Sequence, residues 1–121
     1  MRSILFKAKK LSDGKWVKGS LVKTPFGTFI EWYEDSICNK REVDTDTVCQ
    51  FTGLTDCEGK ELFEHDVIKN YPFIPSEIVW SEELSGYYLK HANGKIEGKP
   101  LGHYLSLGKF IVVGNKFDNE K

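Results

Sequence analysis

Four side chains are of the types that ligate zinc: Cys38, Cys49, Cys57 and His65. They are separated in turn by ten, seven and seven residues. Structural zinc sites bring two ligands in from one knuckle with only a few residues between them. No such knuckle is present, so no metal ligand and no cofactor is assigned, and the cysteines read as plain thiols. A second group is acidic: Asp56, Glu58, Glu61, Glu64 and Asp66. Converging carboxylates hold Mg²⁺ for phosphoryl chemistry or act as an acid/base pair, which would make a metal-dependent hydrolase. The order Asp-x-Glu-Gly does not follow a calcium loop. A solvated turn in which Asp56 and Asp66 bind nearby backbone explains the same residues and is preferred. His65, His91 and His103 are scattered, and none sits beside Ser or Cys in a nucleophile motif. No catalytic residue is assigned, and a non-enzymatic protein is expected.

Basic residues gather near the N-terminus. Lysines neutralise phosphates and an indole stacks on bases, so Arg2, Lys7, Lys9, Lys15, Trp16 and Lys18 form a candidate nucleic-acid face. The net charge of −1 lacks the basic excess of dedicated nucleic-acid binders. Lysines guarding a strand edge against stray pairing account for the same residues. The charge is nevertheless laid out in blocks. Residues 1–30 carry seven basic and one acidic side chain, +6; residues 31–66 carry three and eleven, −8; residues 67–121 carry seven and six, +1. Blocks of opposite sign suggest faces that meet within or between molecules. Self-association is expected, with Trp16, Phe26, Phe29 and Trp32 as candidate apolar anchors.

The elements that must position these residues are read from alternation and turn residues. Strands are predicted over 4–9, 15–23 and 28–33, with Ser12-Asp13-Gly14 as a hairpin turn and Pro25-Phe26-Gly27 as a break. In 28–33, Thr28, Ile30 and Trp32 share one face, and Phe29, Glu31 and Tyr33 the other. Residues 34–46 read as an acidic loop with at most one short strand near Ile37. A strand over 47–51 enters a central stretch, 50–69, where Asp56-Cys57-Glu58-Gly59 is a type I turn leading into a bulge, with Gly59 at positive φ. Glu64-His65-Asp66 is a corner, with His65 where a residue tolerant of positive φ is needed. Further strands are predicted over 67–71, closed by Pro72 and Pro75, and over 77–80 and 86–91. Asn93-Gly94 is a hairpin signal. The leucines of 101–107 suit either a helical turn or a short strand. The last strand, 109–117, is apolar on both faces through Phe110-Ile111-Val112-Val113 and is expected to be central. Residues 119–121 read as a frayed tail.

At 121 residues with 13% aromatics, the chain suits one mainly β domain, 1–121, with a core that needs no staples. An odd cysteine count and the absence of a secretory leader or membrane span point to the cytoplasm.

One resemblance covers nearly the whole chain. The run Gln50-Phe51-Thr52-Gly53-Leu54-Thr55-Asp56-Cys57-Glu58-Gly59-Lys60-Glu61-Leu62-Phe63-Glu64-His65-Asp66-Val67 resembles the central motif of the YopX-like family of bacteriophage and prophage proteins. Gly14-Lys15-Trp16-Val17-Lys18-Gly19, Val79-Trp80 with Gly86-Tyr87-Tyr88-Leu89, and Val113-Gly114-Asn115-Lys116-Phe117 are similar to three further family signatures, in order. His65 departs from the family's usual Gly. The motif positions singled out are Gln50, Thr52, Gly53, Asp56, Gly59, Glu64, Asp66, Gly114 and Asn115. The resemblance implies a mainly β fold: an N-terminal β-meander, about 1–51, packed on a small SH3-like barrel, about 62–117. It implies a phage or prophage origin in a bacterial host cell, and no activity. The expected role is a non-enzymatic binding or homo-oligomeric assembly module, with a protein or nucleic-acid partner and no membrane.

Overall fold

Tight turns at positive φ set the strand boundaries, and the computed structural model describes residues 4–70 and 74–118. The features expected at Arg2, Tyr71, Pro72 and 119–121 lie outside these residues. The chain divides into two units, Met1–Phe51 and Thr52–Lys121.

In the first unit, β1 (Phe6–Lys9), β2 (Trp16–Thr24), β3 (Gly27–Glu34), β4 (Ile37–Glu42) and the start of β5 (Cys49–Thr55) lie in the order β4-β3-β2-β1-β5. All the pairings are antiparallel. The β1–β2 turn forms as expected: Gly14 has φ +72°, and Asp13 Oδ1 accepts the Lys15 N–H at 3.0 Å. Alternation turns Ala8, Ile30 and Val43 to one side, with Phe6, Val17, Leu21, Trp32 and Val48 packed against them. Gly19 is needed in this face. A Cβ there would lie 2.3 Å from the Glu31 carbonyl oxygen and 3.1 Å from Trp32 Cβ, so a side chain would push β3 away.

Within the acidic segment 34–46, the short strand placed near Ile37 is β4 and reaches Glu42, paired with β3 from Glu34↔Ile37 to Phe29↔Glu42. Its turn, Asp35-Ser36, has φ of 51° and 66°, the handedness of a type I′ hairpin made without glycine. β4 is an edge strand with five of its six residues exposed, so no apolar alternation marks it.

The second unit begins with the end of β5, which pairs with β6 (Glu61–Phe63) around the Asp56 turn. β7 (Asp66–Lys69), β8 (Ser76–Ser81), β9 (Gly86–Lys90) and β10 (Ile111–Asn115) form a sheet in the order β10-β7-β8-β9. Its core is Leu62, Ile68, Ile78, Leu89 and Leu101. The mainly β class holds. Among the described residues the ladder runs from β10 to β9, and the Lys90↔Ile96 bridge adds to it beyond β9.

Two other expectations resolve here. Residues Leu101–Leu107 are a helix, α1, which starts after Pro100 and ends at Gly108. Leu101, Tyr104 and Leu105 share its core-facing side at helical spacing. β10 is not central: it is an edge, with Ile111 and Val113 exposed. Its apolar run is not matched by burial on both faces, because the Asp56 turn lies along the edge in place of another strand. The Val112 N–H donates to Asp56 Oδ2 at 3.1 Å, and the Cys57 N–H to the Phe110 carbonyl at 3.1 Å.

Gly59 has φ +82°, and its N–H donates to the Asp56 carbonyl at 3.1 Å. A Cβ at this position would meet nothing within 4 Å, so the cost of a side chain is backbone strain alone. Gly59→Val is expected to cost about 1 kcal/mol or more, and Gly59→Asn distinctly less, since Asn tolerates the left-handed region. Thermal melts of the two variants check this; equal melts would remove the turn from the account.

Candidate functional site

The second unit contains a pocket of about 330 Å³. Ile74, Leu89, Leu107 and Phe110 give it apolar walls, and Ser76, His91, Glu97 and Tyr104 give it one polar wall. Each polar residue comes from a different piece of backbone. Ser76 opens β8, and Tyr104 is on α1. His91 follows β9 directly and starts the Asn93-Gly94 turn, in which the His91 N–H donates to the Lys95 carbonyl at 2.8 Å and the Gly94 N–H to the His91 carbonyl at 2.9 Å. The chain then runs back beside β9, bridging Lys90↔Ile96, and the Glu97 N–H donates to the Leu89 carbonyl at 2.9 Å. This turn places the Glu97 carboxylate against the His91 ring.

The four side chains form one hydrogen-bonded series. Ser76 Oγ is 2.9 Å from His91 Nδ1, His91 Nε2 is 2.5 Å from Glu97 Oε1, and the Tyr104 hydroxyl donates to Glu97 Oε2 at 3.2 Å. The His91 hydrogen bond is the main cause holding the Glu97 carboxyl below its ordinary range, helped by Tyr104 against the opposing effect of burial. Burial first, with the carboxylate adding to it, outweighs the opposing hydrogen bond from the Lys99 N–H and pushes the Tyr104 phenol up, so it stays a donor. An ionised carboxylate only accepts, so His91 Nε2 carries a proton toward Glu97; in the neutral imidazole, Nδ1 is then the acceptor for the Ser76 hydroxyl. Carboxylate, imidazole and hydroxyl in this order polarise the hydroxyl, as in acyl-transfer enzymes.

The residues singled out from the sequence lie elsewhere. Lys7, Lys9, Trp16 and Lys18 do share the outward face of β1 and β2, paired Lys7↔Lys18 and Lys9↔Trp16. Lys7 Nζ is 4.8 Å and Lys9 Nζ 5.7 Å from the centre of the Trp16 ring. Lys15 is exposed in the preceding turn. The four aromatic anchors do not share a face. Trp32 packs against the first unit's core, whereas Phe29 lies under Lys40 Nζ at 4.9 Å and Phe26 stands 89% exposed at the β2–β3 turn. The physical reason is the two-residue alternation of β3, which sends Phe29 and Trp32 to opposite sides.

Cys49 is buried with its Sγ 3.3 Å from the Thr47 carbonyl, while Cys38 and Cys57 are exposed. Among the described residues, no group of three or more His, Cys, Asp or Glu side chains is placed to hold a metal ion. Glu58 Oε1 is 4.0 Å from Lys60 Nζ on the surface, and Glu61 is half-buried on β6. His65 has φ +72° at its corner, as expected. Its Nδ1 is 2.7 Å from Glu77 Oε2, its Nε2 3.6 Å from Glu64 Oε2, and its ring meets Phe117 edge-on.

Asp56 and Asp66 are buried. Asp56 Oδ1 accepts the Glu58 and Lys60 N–H groups, each at 2.9 Å. Asp66 Oδ2 accepts the Phe63 N–H at 2.8 Å, and its Oδ1 accepts from Asn115 Nδ2 at 2.9 Å. Asn115 Oδ1 in turn accepts the Phe117 N–H at 2.9 Å. The family model described as YopX protein matches residues 5–121. The chain belongs to the YopX family. No curated protein matches it. Among solved structures, protein EF1440 from Enterococcus faecalis is similar in fold, with 17% identity over 95% of this chain and 94% of its own and a TM-score of 0.57.

The YopX motif therefore has a structural account in this chain. Thr52 Oγ1 donates to the Leu62 carbonyl at 2.8 Å, tying β5 to β6. Asp56 and Gly59 close the turn between those strands, and Asp66 joins the central motif to Asn115 of the C-terminal signature. The pocket residues were missed because their sequence separations, fifteen from Ser76 to His91, six to Glu97 and seven to Tyr104, match no nucleophile motif. The one local signal was Asn93-Gly94, which marked the turn that brings His91 and Glu97 together.

Proposed function

We propose that this YopX protein is a non-enzymatic binding module whose working site is the pocket of the second unit. The observation that carries this reading is the polar series set into apolar walls, the usual composition of a small-ligand site. Both His91 nitrogens and both Glu97 oxygens are already partnered. The series thus holds a fixed shape, which suits recognition. Ligand-observed NMR with a fragment library tests it, using Leu107→Trp to fill the pocket from an exposed position on α1. Fragments are expected to bind the natural protein at roughly millimolar affinity or better and to lose binding in the variant. Binding that survives the filled pocket would overturn the site. Covalent labelling of Ser76 by a fluorophosphonate would replace binding with hydrolysis.

A second reading concerns the first unit. β4 is an open edge, and Tyr33 and Ile37 at its hairpin are 71% and 65% exposed. These features support self-association through the first unit, in a phage or prophage protein acting in the cytoplasm of a bacterial host. No helix among the described residues is long and apolar enough to cross a membrane. Light scattering across salt is expected to show an oligomer that weakens, without vanishing, as salt rises, since exposed ion pairs contribute little. A monomer at every salt concentration ends this reading. If that monomer binds single-stranded DNA in a salt-sensitive way, the Trp16 face becomes a nucleic-acid site.

A further inference from the structure

We propose that the pocket takes an amphipathic amine, with its apolar body between Leu89 and Phe110 and its ammonium group on the Ser76–His91–Glu97–Tyr104 wall. The inference rests on the reading of this pocket as a binding site and adds the chemical class of its ligand.

The argument is an accounting of protons. For the neutral imidazole form of His91, the series contains three polar hydrogens: one on Ser76, one on His91 and one on Tyr104. Each is directed at another member. The Tyr104 and His91 hydrogens go to the two Glu97 oxygens, and the Ser76 hydrogen goes to His91 Nδ1. What remains to face a ligand is lone pairs, on Ser76 Oγ and the carboxylate, while Tyr104 Oη already takes the Lys99 N–H. In that form the group also carries one negative charge, because its hydrogen bonds keep Glu97 ionised. Lys95 also acts on that carboxylate, but its influence is the weakest of those felt there. A ligand carboxylate or phosphate would meet lone pairs and like charge. An ammonium group would meet acceptors.

The other walls set the rest of the ligand. Ile74, Leu89, Leu107 and Phe110 offer no hydrogen bonds, so the body should be a short alkyl or aryl group. Asn70 is the remaining polar residue of the pocket. Its amide both donates and accepts, so it does not decide the sign of the ligand's charge.

The test uses the full chain and three probes of one shape: phenethylamine, phenethyl alcohol and 3-phenylpropionate. Binding is followed by chemical-shift titration of the His91 and Tyr104 signals. The amine is expected to bind about tenfold more tightly than the alcohol, as a charge-assisted hydrogen bond allows, and the acid not at all. In Glu97→Gln the preference for amine over alcohol should disappear while the alcohol still binds. An acid or alcohol that binds as well as the amine overturns the ligand class and leaves the pocket as a binding site. So does an amine preference that survives Glu97→Gln. If none of the three shifts these signals, the pocket reading falls with it.

Discussion

Asp66→Ala is expected to destabilise the protein by about 3 kcal/mol or more, a larger loss than any surface change should cause. Asp66 is 1% exposed, and its two oxygens serve the Phe63 N–H and the Asn115 side-chain amide. Alanine deprives both donors of this acceptor where water does not reach, and each such loss costs about 1–3 kcal/mol. Asp66→Asn keeps the shape but must turn an NH₂ toward one of two donors, so it should cost about 2 kcal/mol. Asn115→Asp alone puts two carboxylates face to face. The double exchange, Asp66→Asn with Asn115→Asp, reverses the direction of the shared hydrogen bond and keeps an acceptor for the Phe63 and Phe117 N–H groups. Asp118, whose Oδ2 accepts the Asn115 N–H at 2.8 Å, would face the new carboxylate, so recovery should be partial. Urea unfolding followed by circular dichroism, arranged as a double-mutant cycle, measures this. Additive losses would show that the two residues do not act as a pair.

Asp56→Ala should be next in size, at about 3 kcal/mol, because one carboxylate accepts three backbone N–H groups. Two of them, from Glu58 and Lys60, close the turn; the third, from Val112, holds the edge strand β10. The side chain is 5% exposed, so water does not substitute. The same geometry gives the site a pH signature. Burial pushes the Asp56 carboxyl up, but the Lys60, Val112 and Glu58 N–H groups together outweigh it and hold the carboxyl below its ordinary value. A carboxyl lowered by folding adds stability that is complete above the unfolded value, about 4, and is lost as pH falls through the folded one. The natural protein should therefore lose stability below about pH 4, and Asp56→Asn should lose less of what it has over that interval. Denaturant midpoints measured at intervals from pH 5 downward decide the point. Parallel slopes for the two proteins would count against Asp56 as an acid-sensitive tie.

What could be read directly from the sequence was local. Asp13-Gly14, the Asp56–Gly59 turn and the positive φ of His65 are each specified within a few residues, by a side-chain oxygen that reaches nearby backbone or by a residue that tolerates the left-handed region. The alternation of β3 separated Phe29 from Trp32 before any partner strand was known, and the long YopX motif carried the family. The three-dimensional arrangement decided everything that depends on which elements become neighbours. β4 was legible only as a short strand near Ile37, because an edge strand exposed on both sides has no apolar pattern to show and its turn uses Asp35-Ser36 instead of glycine. β10 was misplaced for the opposite reason: an apolar run reports a preference for burial, not whether a strand or a turn lies beside it. The partner of Asp66 lies 49 residues away, and the pocket wall draws one side chain from each of four separate stretches. No spacing rule encodes such meetings, since they follow from the order of strands in the sheet and from where α1 packs.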